Sequence, residues 1–328
     1  MLSLSALEIE TQGDPECSFV VRDELNQRLD IFLSEHCSEH SRSRFKKLIQ
    51  DGLVLVNEQR VKPGYELRYG DKIVVWLPVL KAQEQLVPEP MPLEILYEDE
   101  DIIVVNKAPG VVVHPGAGHE EGTLVHGLLA HCSRLAMQGA PQRPGIVHRL
   151  DQNTSGALVA AKSERAYLNL IQQFKEHRVH KEYLALVYGR PREGGGEIRT
   201  QLDRHPVDRK KMAVSVKKGR EAVSLWSVEK AWDEVALLRV TIQTGRTHQI
   251  RVHLSHSGHP VVGDETYGGG KRRARSLKDK TLQQLFLQID RQMLHAWHLA
   301  FEHPLSHAPL SFTAPLASDF AELLNRLS

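Results

Sequence analysis

Two short runs of this chain gather a carboxylate with several guanidinium and imidazole groups. Between Gly145 and Gly156 an apolar strand leads into His148, Arg149 and Asp151, and Thr154, Ser155 and Gly156 then turn the chain into a second apolar strand. Such a loop sets a carboxylate at the end of a sheet, where clefts form. On spacing alone the plainer reading is structural, with Asp151 paired to an arginine and bracing the loop. The second run, Thr244 to Leu254, holds Arg246, His248, Gln249, Arg251 and His253. Those groups suit phosphate contacts or a carboxylate partner, and they also fit a solvated polar helix. A metal reading exists because His248, His253, His256 and His259 are crowded, but no His-Glu-x-x-His spacing and no nearby cysteine support it. Tyr183 opens an apolar strand in Lys181 to Val187, as a core residue with a wet hydroxyl or as a stacking surface in a cleft.

Charge is distributed unevenly. Lys and Arg number 42 against 41 Asp and Glu, a formal net charge of +1, so the total announces no polyanion partner. Locally the picture differs. Arg42, Arg44, Lys46 and Lys47 crowd one predicted helix, and further basic stretches run from Arg204 to Arg220 and from Lys271 to Lys280. Each reads as a solvated segment or as part of an RNA footprint.

The elements that must position these groups fall into four stretches. The chain has 328 residues, 41% of them hydrophobic, enough for one large and one small domain. Residues 1–24 read as a loose extension with a short strand near Phe19 to Val21. Residues 25–77 form a small α+β module. Its first helix buries Leu29, Phe32 and Leu33, and its second, capped by Ser41 and ended by Gly52, buries Phe45, Leu48 and Ile49. Strands follow at Val54 to Val56 and Ile73 to Trp76, with a turn at Gly70 and Asp71. Residues 78–92 hold four prolines among Gln and Glu, an extended and exposed linker. Residues 93–328 are strand-rich. A hairpin pairs Ile95 to Tyr97 with Ile102 to Val105. Further strands are expected at Ile146 and Val147, Ala157 to Ala161, Tyr183 to Tyr188, Ser224 to Val228, Ala236 to Ile242 and Ser311 to Thr313. Helices are expected at Leu124 to His131, Glu164 to Glu176 and Asp319 to Leu327, and glycine triplets at 194–196 and 268–270 read as flexible loops. That succession predicts an α+β class with a mixed, mainly antiparallel sheet. Three cysteines imply no disulfide framework. No apolar run is long enough to span a membrane, and Met1 to Glu10 lacks a secretory pattern. The expected location is the cytoplasm.

Taken together, these residues resemble a family. His148 to Asp151 followed by Thr154 to Gly156 is similar to the signature of the ribosomal-large-subunit (Rlu-type) pseudouridine synthases. Asn106 to Gly116, Lys181 to Tyr183, Thr244 to His253, Gly263 and Asp264, Tyr267 and Gly268, and Leu294 to Ala296 follow in the family's order. The resemblance spans about Pro92 to Pro315. The small module resembles the RNA-binding domain named after ribosomal protein S-four, through Arg28 to Asp30, Ser41 to Arg44, Leu48, Ile49, Gly52, Val54 to Asn57 and Gly70 to Ile73. The stretch from Lys271 to Gln288 matches nothing carried over from the family.

The resemblance implies the pseudouridine-synthase fold behind a small RNA-binding domain, and an isomerase that turns uridine into pseudouridine on a flipped-out base. It makes Asp151 the essential carboxylate, as nucleophile or as base at the ribose, and Arg251 its ion-pair partner. Arg149 would enter the space the base vacates. Tyr183 would stack on the uracil and assist proton removal, Leu294 would cover its other face, and His148 would support the site structurally. Arg42, Arg44, Lys46 and Lys47 would add phosphate contacts. The reaction breaks a carbon–nitrogen bond and makes a carbon–carbon bond without redox change, so it needs neither cofactor nor metal. The expected substrate is large-subunit ribosomal RNA or its precursor particle, with transfer RNA second, and the expected state is a monomer. Two other classes stay open on residues alone, a non-catalytic RNA-binding protein and a metal hydrolase built on the histidines.

Overall fold

The structure is a computed structural model that describes residues 17–22, 26–37, 42–76, 86–116, 118–137, 142–209, 211–216 and 218–327, the side chains of Ser43 and Arg44 excepted. Two compact units divide between Gln85 and Leu86.

In the smaller unit, β1 (Cys17–Val20), β2 (Val54–Val56), β3 (Gln59–Arg60) and β4 (Lys72–Val75) form an antiparallel sheet in the order β1-β4-β2-β3. Helices α1 (Leu29–His36) and α2 (Arg42–Gln50) supply the apolar faces expected of them. Leu29, Phe32, Leu33, Phe45, Leu48 and Ile49 are buried with Val54, Val56, Ile73 and Val75. The Ser41 cap lies outside the described residues. At the Gly70 turn, the Asp71 carboxylate accepts from Asn57 Nδ2, Tyr65 Oη and the Arg68 backbone N–H at 2.8, 3.1 and 2.9 Å. β1 is the short strand expected near Phe19 to Val21, and its extended backbone completes the free edge of β4.

The larger unit begins on an extended segment. It is less free than its proline content suggests, since the Glu89 N–H donates to His126 O at 3.1 Å and the Glu89 carboxylate accepts from the Gly122 N–H at 3.0 Å. Among the described residues ten strands then form one sheet: β5 (Glu94–Glu98), β6 (Ile102–Lys107), β7 (Ser155–Ala161), β8 (His180–Tyr188), β9 (Gly195–Arg204), β10 (Met212–Val214), β11 (Arg220–Ala231), β12 (Val235–Ile242), β13 (Leu294–Glu302) and β14 (Pro309–Thr313). Their order is β10-β9-β11-β12-β8-β13-β7-β6-β5, with β14 beside β13. Among the described residues the pairings are antiparallel except β13 with β7, which is parallel at His295–Ser155 and Ala296–Gly156. This is the mixed, mainly antiparallel α+β architecture expected.

Helices α3 (Leu124–His131), α4 (Glu164–Lys175), α5 (Gln249–His256), α6 (Lys271–Ala274), α7 (Lys280–Leu287) and α8 (Ser318–Leu327) accompany the sheet. α4 starts where Ser163 Oγ accepts the Ala166 N–H at 3.2 Å, an N-cap. Strand β8 is buried from Tyr183 to Tyr188, as a central strand covered on both faces should be.

Three expectations are corrected. Ile146 and Val147 make no strand; Ile146 keeps only an isolated bridge to Ala160, because the chain turns into the Asp151 loop. Gly195 and Gly196 open β9, paired with Ser227 and Trp226, where the missing side chains let the neighbouring strand approach. The turn at 268–270 is tightly packed rather than loose, since a Cβ on Gly269 would lie 1.8 Å from Val261 O.

Candidate active site

The Asp151 loop is anchored from three directions. Behind it, Gly156, the second residue of β7, lies at φ +115°, and a Cβ there would fall 2.2 Å from Ala296 O, so β7 can approach β13 this closely only with glycine at 156. Beside it, His148 Nε2 accepts the Val159 N–H at 3.1 Å while the ring stacks on Phe174 at 4.7 Å. Burial pushes that imidazole down to about 3, so it stays neutral. Below it, the Lys107 ammonium donates to the carbonyls of Ala108, Val111 and Gln152 at 2.8, 2.8 and 2.9 Å. Lys107 is 2% exposed, and burial lowers its pKa to about 7 against the pull of Asp151.

Across the loop stands Arg251 on α5. Its Nη1 lies 3.0 Å from Asp151 Oδ2, while Nε and Nη2 grip Asp264 at 2.7 and 2.9 Å. Asp264 also accepts the backbone N–H groups of Thr266 and Tyr267, and the Tyr267 ring lies 5.1 Å under the guanidinium. Burial would lower the Arg251 pKa, but the two carboxylates hold it above its ordinary value. The bidentate grip on Asp264 fixes the guanidinium plane and aims Nη1 at Asp151. Asp151 Oδ1 makes no hydrogen bond among the described residues, and His248 Nε2 stands 3.9 Å from it.

α5 is fixed from its first residues. Gln249 accepts from Thr244 Oγ1 at 2.7 Å and the Arg246 N–H at 3.1 Å, and donates to Val223 O at 3.0 Å. His248 precedes the helix in the left-handed region, φ 56°, with Nδ1 2.7 Å from Tyr267 Oη. The run is therefore no solvated polar helix: Gln249, Arg251 and His253 are all buried. Nor do its histidines converge. His253 spends Nδ1 on Ser224 and Nε2 on Thr200, both at 2.9 Å, and His259 Nδ1 is 3.0 Å from Tyr188 O.

These groups line one cavity of about 480 Å³, whose walls include His148, Arg149, Asp151, Tyr183, Arg251 and Leu294. Tyr183 projects from β8 between Val240 and Ala296, and burial together with the Asp151 charge raises its phenol pKa. Leu294 begins β13 and is 3% exposed. Arg149 is exposed and has no ion pair or hydrogen bond among the described residues. Asp264, Tyr267 and Lys107 were visible in the motifs, but nothing in the sequence gave their contacts. Phe174 and Lys181, the latter lowered to about 8 by burial, also line the cavity.

In the smaller unit Arg42 is partly committed, with Nε 2.9 Å from Asp30 Oδ2; Arg28 Nε holds Asp30 Oδ1, also at 2.9 Å. Lys46 and Lys47 are exposed, and the Arg44 side chain lies outside the description. Among the described residues no helix is long and apolar enough to cross a membrane.

Residues 101–256 match the RNA pseudouridylate synthase model, and residues 27–73 match the S4 domain. An uncharacterised RNA pseudouridine synthase of Aquifex aeolicus (strain VF5) is 43% identical over 303 residues, 91% of this chain and 89% of that protein. The ribosomal large subunit pseudouridine synthase D of Xylella fastidiosa (strain Temecula1 / ATCC 700964) is 41% identical over 302 residues, 92% of this chain and 89% of that protein. Among solved structures, human RNA pseudouridylate synthase domain containing 1 superposes with a TM-score of 0.52 at 27% identity, covering 73% of this chain and 98% of that one. The chain belongs to the RNA pseudouridine synthase family. It is an isomerase acting on RNA.

Proposed function

We propose that this enzyme converts specific uridines of large-subunit ribosomal RNA, or of its precursor particle, into pseudouridine, as a cytoplasmic monomer with Asp151 as the essential carboxylate. The observation that carries the reading is the half-committed carboxylate. Asp151 is held by one oxygen on an arginine that Asp264 immobilises, and its other oxygen is open at the cavity. Relatives named ribosomal large subunit pseudouridine synthase D, alike over nearly the whole chain, support the choice of RNA.

A uridine leaving its stack costs a few kcal/mol. Arg149, unpaired and at the cavity wall, would fill the space left in the RNA, while Tyr183 and Leu294 sandwich the uracil. The Asp151 carboxylate then acts at the ribose, as nucleophile at its anomeric carbon or as base on an adjacent proton. The glycosidic N–C bond breaks, the uracil turns, and its C5 joins the sugar, as the Asp151 ester bond to the anomeric carbon breaks on the first route or the proton held by Asp151 returns to the ribose on the second. The C5 proton must then leave, and a proton must return to the freed ring nitrogen. Tyr183, kept as a neutral phenol, suits stacking and relay through its hydroxyl better than action as a phenolate.

Pseudouridine mapping in total RNA from cells with and without the protein tests the proposal. Loss of the mark at discrete ribosomal uridines, restored by the wild-type chain, is the expected outcome; an unchanged map, together with no product from purified enzyme on ribosomal RNA, overturns it.

A further inference from the structure

The cleft does not end at the uridine cavity. A second chamber of about 700 Å³ shares Arg149, Leu150, Asp151, His248 and Arg251 with the first. Its own lining adds Arg143 and His114. The carboxylates in this chamber already face cations or backbone donors. Asp264 is on Arg251, Asp290 is 2.8 Å from Lys271 Nζ, Asp208 is 3.6 Å from Lys211 Nζ, and Glu265 accepts the Lys271 backbone N–H. Arg143 and Arg149 are exposed and have no such partner among the described residues. Two unspent guanidinium groups on the wall of a chamber suit phosphate.

His114 adds a second and different signal. It is 6% exposed, and its Nδ1 lies 2.9 Å from Pro115 O. A carbonyl can only accept, so Nδ1 carries the proton and Nε2 offers a lone pair. That Nε2 is buried and has no hydrogen-bond partner among the described residues. Burial, with Arg143 and Arg149 nearby, keeps the ring neutral. A neutral acceptor left unpaired inside a protein is costly unless a ligand donor or water meets it.

We propose that the second chamber binds the nucleotide adjoining the target uridine, with Arg143 on its phosphate and His114 Nε2 accepting a hydrogen bond from its base N–H or ribose 2′-hydroxyl. The inference rests on the uridine reading of the first cavity. An RNA strand with one nucleotide drawn into that cavity must carry its neighbour past Arg149, and the chamber sharing Arg149 is where it goes. A site that accepts a hydrogen bond disfavours a neighbour that lacks the donor, so this chamber would contribute to choosing which uridine is modified.

The test uses the full chain and a short synthetic RNA around the mapped uridine, with kcat and KM read from pseudouridine formed. The variants are Arg143→Gln and His114→Phe, and each neighbour of the uridine is replaced in turn by an abasic or a 2′-deoxy nucleotide. Arg143→Gln is expected to raise KM about tenfold, the size of one charge-assisted contact, with kcat within about twofold. At one neighbour, the abasic or the 2′-deoxy change should raise KM severalfold for the unaltered chain but not for His114→Phe, and which change acts identifies the donor. Unchanged KM in Arg143→Gln, or neighbour effects equal in His114→Phe and the unaltered chain, overturns the proposal. If His114→Phe fails to fold by circular dichroism, Arg143→Gln decides alone, being an exposed change. No product from the unaltered chain would instead remove the uridine reading itself, whereas normal turnover with unresponsive variants removes only the second chamber.

Discussion

Asp151, Arg251 and Asp264 form a chain in which each member sets the next. Asp264 is 1% exposed and spends both oxygens on Arg251 and two backbone N–H groups, so the guanidinium has one orientation. Only a planar fork can grip Asp264 twice and still reach Asp151. Arg251→Lys keeps the charge but loses that geometry. It should lower kcat by about 100-fold, the scale of a reacting group misplaced by about 1 Å, while RNA affinity changes little. Steady-state kinetics with a binding assay separates the two, and a kcat within about twofold of wild type would mean that charge alone suffices. The Asp151 loop was legible as a candidate because its residue types are concentrated in sequence. Asp264 was not assigned a role, because it lies 13 residues from Arg251 and only the fold brings it underneath. Lys107 was hidden for another reason: a lysine ending a strand reads as solvent-exposed, and here three carbonyls replace the water.

At the scale of elements, position depends on where strands touch. β7 carries the Asp151 loop and meets β13, which carries Leu294, through Gly156. Gly156→Ala would place a methyl 2.2 Å from Ala296 O in a backbone conformation that disfavours side chains. It should destabilise the larger unit by at least about 1–3 kcal/mol and reduce activity out of proportion to any change at Asp151. A denaturant titration that leaves the midpoint unmoved would show that β7 and β13 can separate without cost. Helices α3 and α4 could be read directly, since their spans follow from local residue order. β9 could not, because its glycine-rich start is extended only through pairing with β11. Ile146 failed in the opposite direction, an apolar residue whose neighbours turn away into the loop.

Over the whole molecule, buried neutral histidines tie stability to pH. Burial holds His148 at about 3, His253 at about 4 and His295 at about 4. Unfolded imidazoles titrate near 6.5. Below that value the unfolded chain therefore takes up protons that the folded rings refuse, and stability falls as pH drops from about 6.5 towards 4. Paired carboxylates such as Glu98 and Asp99, whose pKa values are lowered, add to the same trend at more acidic pH. Denaturant midpoints measured at about pH 7.5 and about pH 5 should show the decline, and His253→Gln should make it shallower by removing one titrating ring. An equally steep decline in that variant would show that His253 does not contribute to the trend. Composition gave the expectation of a small and a large unit joined by residues 78–92, and the contacts divide the chain between Gln85 and Leu86. The parallel β13–β7 contact was not legible, because residues so distant in sequence leave no local sign of pairing.

If Asp151 is the group on which the reaction turns, Asp151→Asn abolishes the chemistry and leaves the rest of the protein intact. The substitution keeps the volume and can still accept from Arg251, so the fold and RNA affinity should survive. Purified wild-type and variant chains, incubated with ribosomal RNA lacking the modification, would be compared for RNA bound and pseudouridine formed. Binding is expected to stay within about threefold of wild type, no more than one hydrogen bond's worth, with no detectable product. Pseudouridine formed by the variant at the wild-type rate would contradict that role for Asp151.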